Sequence, residues 1–384
     1  MCGASGPVRV LIDYRPALRE RTGAGEYTHE LTAALLARAR ADATRALSVA
    51  LFSSSWKDRL RRAPELCGAR RVDLRIPVRV LNLLWHRLEW PAAEMLAGGP
   101  FDVVHSSHPL LLPARGAAQV ITIHDLDFLA HPERTRGEIR RDYPALVRAH
   151  ANRADVVVVP SRFTAGEVQR LLGVATDRLA ICSPGAPDWT PRPRAPRDGY
   201  ILFLSTLEPR KNVGTLLDAY ERLLAGPTPP PPLVLAGRAR PEAEGWLDRI
   251  RRPPLAGRVK HLGYVDPSER EAVYAGARLF VMPSFDEGFG LPVLEAMTAG
   301  VPVVAADRGS LPEVLGGAGV LVNPDDAADV AEGIRRVCTD EGLAAACTAH
   351  GLARAGHFRW SETAARAYDA YRRALERRRS QGHV

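Results

Sequence analysis

Met282-Pro-Ser-Phe-Asp-Glu-Gly-Phe-Gly-Leu-Pro-Val-Leu-Glu-Ala-Met-Thr-Ala-Gly-Val-Pro-Val-Val304 holds a strand end, a glycine loop, a short helix and a new strand in immediate succession. The loop carries Glu287, Gly288 and Gly290; Pro292 stands where a helix opens and Gly300 where one closes. Proline is favoured at a first helical position and glycine just past the last one. Two glycines ahead of a helix N-terminus allow close backbone approach and leave N–H groups and a positive dipole there, which suits a diphosphate. Glu295 falls near the third helical position, so Glu287 and Glu295 flank the same helix start. Carboxylates beside a phosphate site make poor phosphate ligands and good acceptors for sugar hydroxyls. The simpler reading gives Glu295 to the helix dipole and the glycines to turns. For an isolated Gly-x-Gly loop that reading prevails.

The same β-α alternation extends outward in both directions. Apolar runs at 200–205, 233–236, 259–262, 279–282, 301–305 and 320–322 predict one strand series. Runs at 8–13, 47–52, 101–105, 120–124 and 155–160 predict another. Continuous β-branched runs suit parallel strands covered on both faces. Between them, 184–196 is broken by prolines and glycine and cannot form an interior element, so it reads as the linker. The proline-rich piece 227–232 reads as a rigid loop. The expectation is an α/β chain of two doubly wound, Rossmann-like domains facing a central cleft. The first spans 1–185, with an amphipathic helix at 361–379 packing back on it, and the second spans 200–358. In such sheets ligands bind at the carboxyl ends of strands.

Bulk properties agree with a globular chain. At 384 residues the chain exceeds one ordinary core. Apolar residues make up 46% and charged residues 25%, which excludes a disordered or fibrous protein. The net charge of +8, carried largely by arginine, favours anionic partners such as nucleotide phosphates or lipid head groups. No basic run is interleaved with aromatics, so no nucleic acid is expected. No segment approaches the ~20 apolar residues of a spanning helix, and residues 1–7 lack the apolar core of a secretion signal. Cys2, Cys67, Cys182, Cys338 and Cys347 lack metal spacing and read as thiols in a reducing cytosol. A cytoplasmic protein, peripheral at the inner membrane face at most, is the expectation.

Taken whole, Glu287-Gly-Phe-Gly-Leu-Pro-Val-Leu-Glu295 resembles the donor-binding signature of retaining glycosyltransferase family 4, of GT-B fold. The resemblance implies that Glu295 holds the nucleotide ribose and Glu287 contacts the donor sugar. The intervening backbone of Gly288, Phe289, Gly290 and Leu291 then touches sugar and phosphate. Leu204-Ser-Thr-Leu-Glu-Pro-Arg-Lys-Asn-Val-Gly-Thr-Leu-Leu-Asp-Ala-Tyr220 resembles the family's phosphate loop, most closely in its mannosyltransferase-like group. Arg210 and Lys211 lie at that strand's carboxyl end, with Asn212 as N-cap. Two cations there neutralise a leaving diphosphate as a metal-free enzyme must. Read alone, they are equally a solvated basic turn. Many members carry an arginine six residues before the lysine; this chain has Ser205, which leaves open whether Arg210 compensates.

In the first half, Thr122-Ile-His-Asp-Leu-Asp127 ends a strand, and the resemblance places His124 beside donor sugar and acceptor. Without it, a lone histidine at a strand end is more often structural. Asp125 and Asp127 mimic an Asp-x-Asp metal motif, a spacing common by chance, and no metal is expected. Gly23 and Gly25 match the family's first glycine-rich turn. Gly237, Gly263 and Val265 resemble its nucleotide-base pocket. Phe358 to Tyr368 resembles the C-terminal helix that braces the first domain.

The implied activity is a retaining hexosyltransferase of polysaccharide biosynthesis. It moves a hexose from a nucleotide-diphosphate sugar, GDP-mannose ahead of a UDP-hexose, to a saccharide or lipid-linked acceptor, without cofactor. Arg134, Arg136, Arg140 and Arg141, with Trp85, His86 and Trp90, serve a lipid-phosphate-linked acceptor or form a solvated basic face. A sugar phosphorylase of similar fold, or a non-catalytic nucleotide-sugar-binding protein, are the alternatives. Nucleotide-binding calorimetry and assay for transfer separate them. A nicotinamide dehydrogenase would need Gly-x-Gly-x-x-Gly after the first strand, which the Gly23–Gly25 turn does not supply.

Overall fold

The computed structural model describes residues 6–18, 21–42, 46–132 and 137–382, and of 137–142 the backbone alone. Among the described residues thirteen strands form two all-parallel sheets. In the first unit the strands are β1 (Val8–Asp13), β2 (Leu47–Ser54), β3 (Arg70–Leu74), β4 (Val103–Ser106), β5 (Ala118–Thr122), β6 (Val156–Val159) and β7 (Leu179–Ile181). Their order is β3-β2-β1-β4-β5-β6-β7. The second unit holds β8 (Tyr200–Leu204), β9 (Leu233–Ala236), β10 (Val259–Gly263), β11 (Ala277–Met282), β12 (Val303–Ala306) and β13 (Val320–Val322), in the order β10-β9-β8-β11-β12-β13. Each order reverses once, between β1 and β4 and between β8 and β11. Both units are therefore Rossmann-like and doubly wound.

The central strands follow their sequence. Val156 to Val159 are all fully buried, as a parallel strand covered on both faces requires. The two strands without a sequence forecast lie at the edges. β3, Arg-Arg-Val-Asp-Leu, buries only Val72 because an edge strand has one partner and less cover. β7 is three residues long, too short for a pattern. β5 closes at Thr122, which leaves His124 in the following loop instead of in the strand.

The chain divides into Met1–Gly185 with Arg359–Val384, and Ala186–Phe358. The proline-broken stretch read as a linker crosses that boundary and then lies along the second unit. Ala299 O accepts from Arg192 N at 3.2 Å, Gly300 O accepts from Arg192 Nε at 3.1 Å, and Trp189 packs 5.6 Å from the Tyr274 ring. The last helix, Trp360–Ser380, belongs to the first unit. Ala364, Ala367, Ala370 and Ala374 are fully buried, and their small side chains let it lie close to the Ala24–Ala41 helix and the sheet. Tyr371 anchors it: its hydroxyl is 2.8 Å from His105 Nδ1, and His105 Nε2 is 2.8 Å from Thr122 Oγ1.

Candidate active site

In the second unit, the loops leaving β8 and β11 meet at the point where the strand order reverses. Pro209–Lys211 forms one 3-10 turn, and Asn212 then takes the left-handed conformation (φ 57°) that starts the Val213–Leu224 helix. Asparagine tolerates that region better than most residues. Asn212 does occupy the N-cap position, but its side chain does not cap the helix. Its Nδ2 donates to Pro283 O at 3.0 Å and Pro324 O at 2.7 Å, bolting the β8 loop to the β11 and β13 loops. Phe285 N adds a backbone link to Arg210 O at 2.9 Å.

This juncture brings Lys211 onto Glu287. The ammonium donates to both carboxylate oxygens, at 2.6 and 2.8 Å, and both residues are buried. Arg210 Nη1 lies 3.7 Å from the same carboxylate and donates to Asp286 O at 3.1 Å; Nη2 donates to Glu208 at 3.2 Å. Burial would raise the Glu287 carboxyl, but Lys211 and Arg210 outweigh it and hold the group below its ordinary range. Glu287 is thus a buried anion faced by two cations. The sequence offered a basic solvated turn as one reading of Arg210 and Lys211; instead Lys211 is buried, Arg210 is half-buried, and both pair with carboxylates.

Two residues without a forecast shape the Glu287 backbone. Ser310 donates to Glu287 O from its hydroxyl at 2.8 Å and from its amide at 3.0 Å. Gly309 (φ 61°) lies so close that a Cβ would sit 2.8 Å from Glu287 N. The available signal was a Gly-Ser pair just after a predicted strand.

The Leu291–Thr298 helix begins after Gly290 (φ 97°), with proline in its first turn and Gly300 (φ 73°) beyond its end. Its start is one residue earlier than Pro292, so Glu295 is the fifth helical residue and not the third. The dipole of the first turn therefore does not account for Glu295. Two neighbours on the Pro267–Ala275 helix hold it instead: Arg270 Nη1 donates to Oε1 at 3.1 Å, and the Tyr274 hydroxyl donates to Oε2 at 2.8 Å. All three side chains are buried. These two donors fix the plane of the carboxylate. Neither partner was identified from sequence, since i,i+4 spacing on a helix does not name a target. Gly288 is buried in the loop, and Leu291 is half-buried at the helix start. Phe289 points into the core, 5.5 Å from the Phe358 ring, so only its backbone faces elsewhere.

At the neighbouring strand ends, Gly237 (φ 130°) follows β9 so closely that a Cβ would sit 1.9 Å from Ser205 O. Its amide donates to Gly263 O at 2.7 Å, and its carbonyl lies 2.8 Å from His261 Nε2. Val265 is buried in the same half-core. These residues line up along the carboxyl ends of β8, β9 and β10.

The first unit supplies the remaining candidates. Gly23 (φ 47°) is the N-cap of the Ala24–Ala41 helix, and its missing side chain faces open space. Gly25 is buried in the first turn, where a Cβ would sit 2.7 Å from Pro16 O; close packing explains this glycine. His124 Nε2 lies 3.2 Å from Ser107 O, so that nitrogen carries the proton and Nδ1 is the acceptor. Burial pulls its pKa down to about 4, which keeps the ring neutral. Its ring stands edge-on to Tyr27, 5.1 Å away.

A cluster that sequence reasoning missed sits where the first sheet reverses, after β1 and β4. Asp13 is fully buried and accepts from Arg15 Nε and Nη2, each at 2.8 Å, with His108 Nε2 at 3.2 Å. Arg15 also donates to Asn82 Oδ1 at 3.1 Å and stacks 4.8 Å from the Trp85 ring. Burial would raise the Asp13 carboxyl, but Arg15 and His108 hold it far below the usual carboxylate range. The aspartate ending β1 was the only signal. Trp85, offered by the sequence either to an acceptor or to a solvated basic face, does neither: it is buried at 2% exposure beneath Arg15, because it lies on the inward face of its helix. Arg134, Arg136 and the side chains of Arg140 and Arg141 lie outside the described residues.

Comparison with known proteins is consistent along the chain. The family model described as Glycosyl transferases group 1 matches residues 190–354, and that of Glycosyltransferase Family 4 matches 21–188. The O-antigen chain mannosyltransferase B of Escherichia coli is 32% identical over 286 residues, covering 71% of this chain and 74% of its own length. The serotype-specific mannosyltransferase WbdA of Escherichia coli is 32% identical over 297 residues, 72% of this chain. The chain spans only 36% of that relative's length. Among solved structures, the sucrose-phosphate synthase of Thermosynechococcus elongatus superposes with a TM-score of 0.76 at 23% identity, covering 96% of this chain and 98% of the other. Anabaena HepE in complex with UDP-glucose gives 0.67 at 18% identity, covering 94% and 98%. These two show likeness of fold.

Proposed function

The chain belongs to glycosyltransferase family 4, in its mannosyltransferase-like group of GT-B fold, and on that footing we propose that it transfers a hexose from a nucleotide-diphosphate sugar, with retention and without a metal ion. The observation that carries the reading is the Lys211–Glu287–Arg210 juncture at the reversal point of the second sheet, beside the start of the Leu291–Thr298 helix. Ligands of doubly wound sheets collect at such points.

In this reading Lys211 and Arg210 neutralise the departing diphosphate, helped by the N-terminal end of that helix and the Gly288–Leu291 backbone. One such donor lowers a barrier by roughly 3 kcal/mol in comparable electrostatic sites. Glu287 accepts from donor-sugar hydroxyls, and Glu295, held by Arg270 and Tyr274, accepts from the ribose. Gly237 and Val265 flank the base. In the other unit, Gly23 and Gly25 shape a turn for donor phosphates or acceptor. Neutral His124 offers Nδ1 to a hydroxyl of donor sugar or acceptor. Arg210 supplies the cation that Ser205 does not.

GDP-mannose is the donor put forward, on the strength of the mannosyltransferase relatives, with a saccharide or lipid-linked saccharide as acceptor. A thermal-shift series with GDP, UDP, ADP and dTDP tests the base, with the largest rise expected for GDP. Transfer that disappears under chelation and returns with manganese would overturn the metal-free mechanism. An inverted product anomer would overturn retention.

A further inference from the structure

Pro187, Pro191, Pro193 and Pro196 keep residues 186–196 out of any helix or sheet, and such a stretch needs no fixed path. This one is fastened at three points to two helices of the second unit. Trp189, half-buried, packs its ring 5.6 Å from Tyr274. Thr190 N donates to Glu271 Oε1 at 3.1 Å. Arg192 donates from its amide to Ala299 O at 3.2 Å. Its guanidinium donates to Gly300 O at 3.1 Å, to Ala275 O at 3.5 Å and to Ala277 O.

Arg192 thus acts as a clamp. Its partners are backbone carbonyls at or just past the C-terminal ends of the Pro267–Ala275 and Leu291–Thr298 helices, where the helix dipoles present partial negative charge. Burial pulls the guanidinium down to about 10, so it stays charged at neutral pH. Pro191 and Pro193 fix φ on either side, which lowers the backbone entropy lost in forming the clamp.

The two clamped helices are the ones that build the Glu295 cluster. Glu295 lies on one; Arg270 and Tyr274, which donate to its carboxylate at 3.1 and 2.8 Å, lie on the other. Tyr274 is fully buried, and its ring packs against Trp189 and Phe280, each at 5.6 Å. A ring held on two contacts puts its hydroxyl in one place. Attachment of the stretch alone calls for no contact with Tyr274; the ring pair ties that attachment to the side chain that orients Glu295.

We propose that Trp189 and Arg192 are positioning residues for the nucleotide site, acting through Tyr274 and the two helix ends to hold Glu295. Their role rests on the assignment of Glu295 to the nucleotide ribose.

Calorimetry of the full chain tests it, with the tightest binder among GDP, UDP, ADP and dTDP as probe. Trp189→Ala should weaken binding about three- to ten-fold, the worth of one ring pair. Trp189→Phe keeps a ring and should stay within about two-fold of the parent. Arg192→Gln should weaken binding in the same range as Trp189→Ala. The KM for the nucleotide sugar should rise in both while kcat changes little, as loss of uniform binding requires. In a Glu295→Gln background, Trp189→Ala should cost no further affinity. The two variants remove different contacts, so one carries the test if thermal melts show the other unfolded. Parent-like affinity in Trp189→Ala and Arg192→Gln, beside a loss in Glu295→Gln, would overturn the proposal alone. So would a further loss from Trp189→Ala in the Glu295→Gln background, since the effect would then bypass Glu295. Parent-like affinity in Glu295→Gln, or no binding of any of the four nucleotides by the parent, would overturn the ribose assignment and the proposal with it.

Discussion

Lys211 Nζ lies 2.6 Å and 2.8 Å from the two carboxylate oxygens of Glu287, 76 residues away in sequence. Neither charge is exposed, so each is the main compensation of the other, with Arg210 as a second cation 3.7 Å off. Removing one partner of a buried pair strands the other.

Lys211→Ala should therefore act twice. Turnover should fall by about two to three orders of magnitude through loss of a phosphate cation. Stability should also fall by about 3 kcal/mol, because a buried carboxylate loses its bidentate donor. The double variant Lys211→Met/Glu287→Gln separates the effects: urea unfolding should recover most of the stability while activity stays low. Near-normal turnover in Lys211→Ala would refute the cation's role.

Tyr274 and Arg270 position Glu295 from one helix. Tyr274→Phe removes the hydroxyl and keeps the packing, so the KM for the nucleotide sugar should rise roughly five- to ten-fold with little change in kcat. Glu295→Gln should weaken donor binding further. Equal donor affinity in Glu295→Gln and the parent, measured by calorimetry, would remove Glu295 from the nucleotide site.

Two glycines predict opposite outcomes. Gly237→Ala places a Cβ where Ser205 O already stands, at a φ of 130° that alanine rarely adopts, and should cost more than about 2 kcal/mol. Gly166, exposed inside the Arg162–Leu172 helix with nothing near its missing Cβ, should gain about 0.5–1 kcal/mol as alanine. Paired thermal melts read both signs.

Burial pulls His105 down to about 3 and His29, His124 and His150 to about 4. The unfolded chain titrates these groups near 6.5, so below that pH it binds more protons than the folded chain. Their neutral burial is fully tolerated above pH ~6.5, and stability is lost as pH falls from there toward 4. Denaturation midpoints between pH 7 and 5 should drop. His105→Gln should lessen the slope by up to about 1.4 kcal/mol per pH unit, one proton's share. The lowered carboxyl of Glu287 adds a loss of the same sign, below its ordinary titration range.

Chain order and short-range pattern were enough to identify much of this protein. Apolar runs such as Val156–Val159 suit interior parallel strands, and that is where they lie. The proline and glycine around Leu291–Thr298 place a helix, and the Glu287–Glu295 segment carries the resemblance to glycosyltransferase family 4. Those signals are local, set by backbone preferences and burial within a few residues. The tertiary structure alone decided which charges meet. Strand order carries the loop after β8 beside the loop after β11, making Lys211 the partner of Glu287, and it sets Arg15 and His108 around Asp13 at the other reversal point. In the Val78–Leu88 helix, too, packing buried Leu81 and Trp85 in the core and left Leu83 and Leu88 outside. Partner choice depends on distances between segments far apart in the chain, and no residue-by-residue preference encodes them.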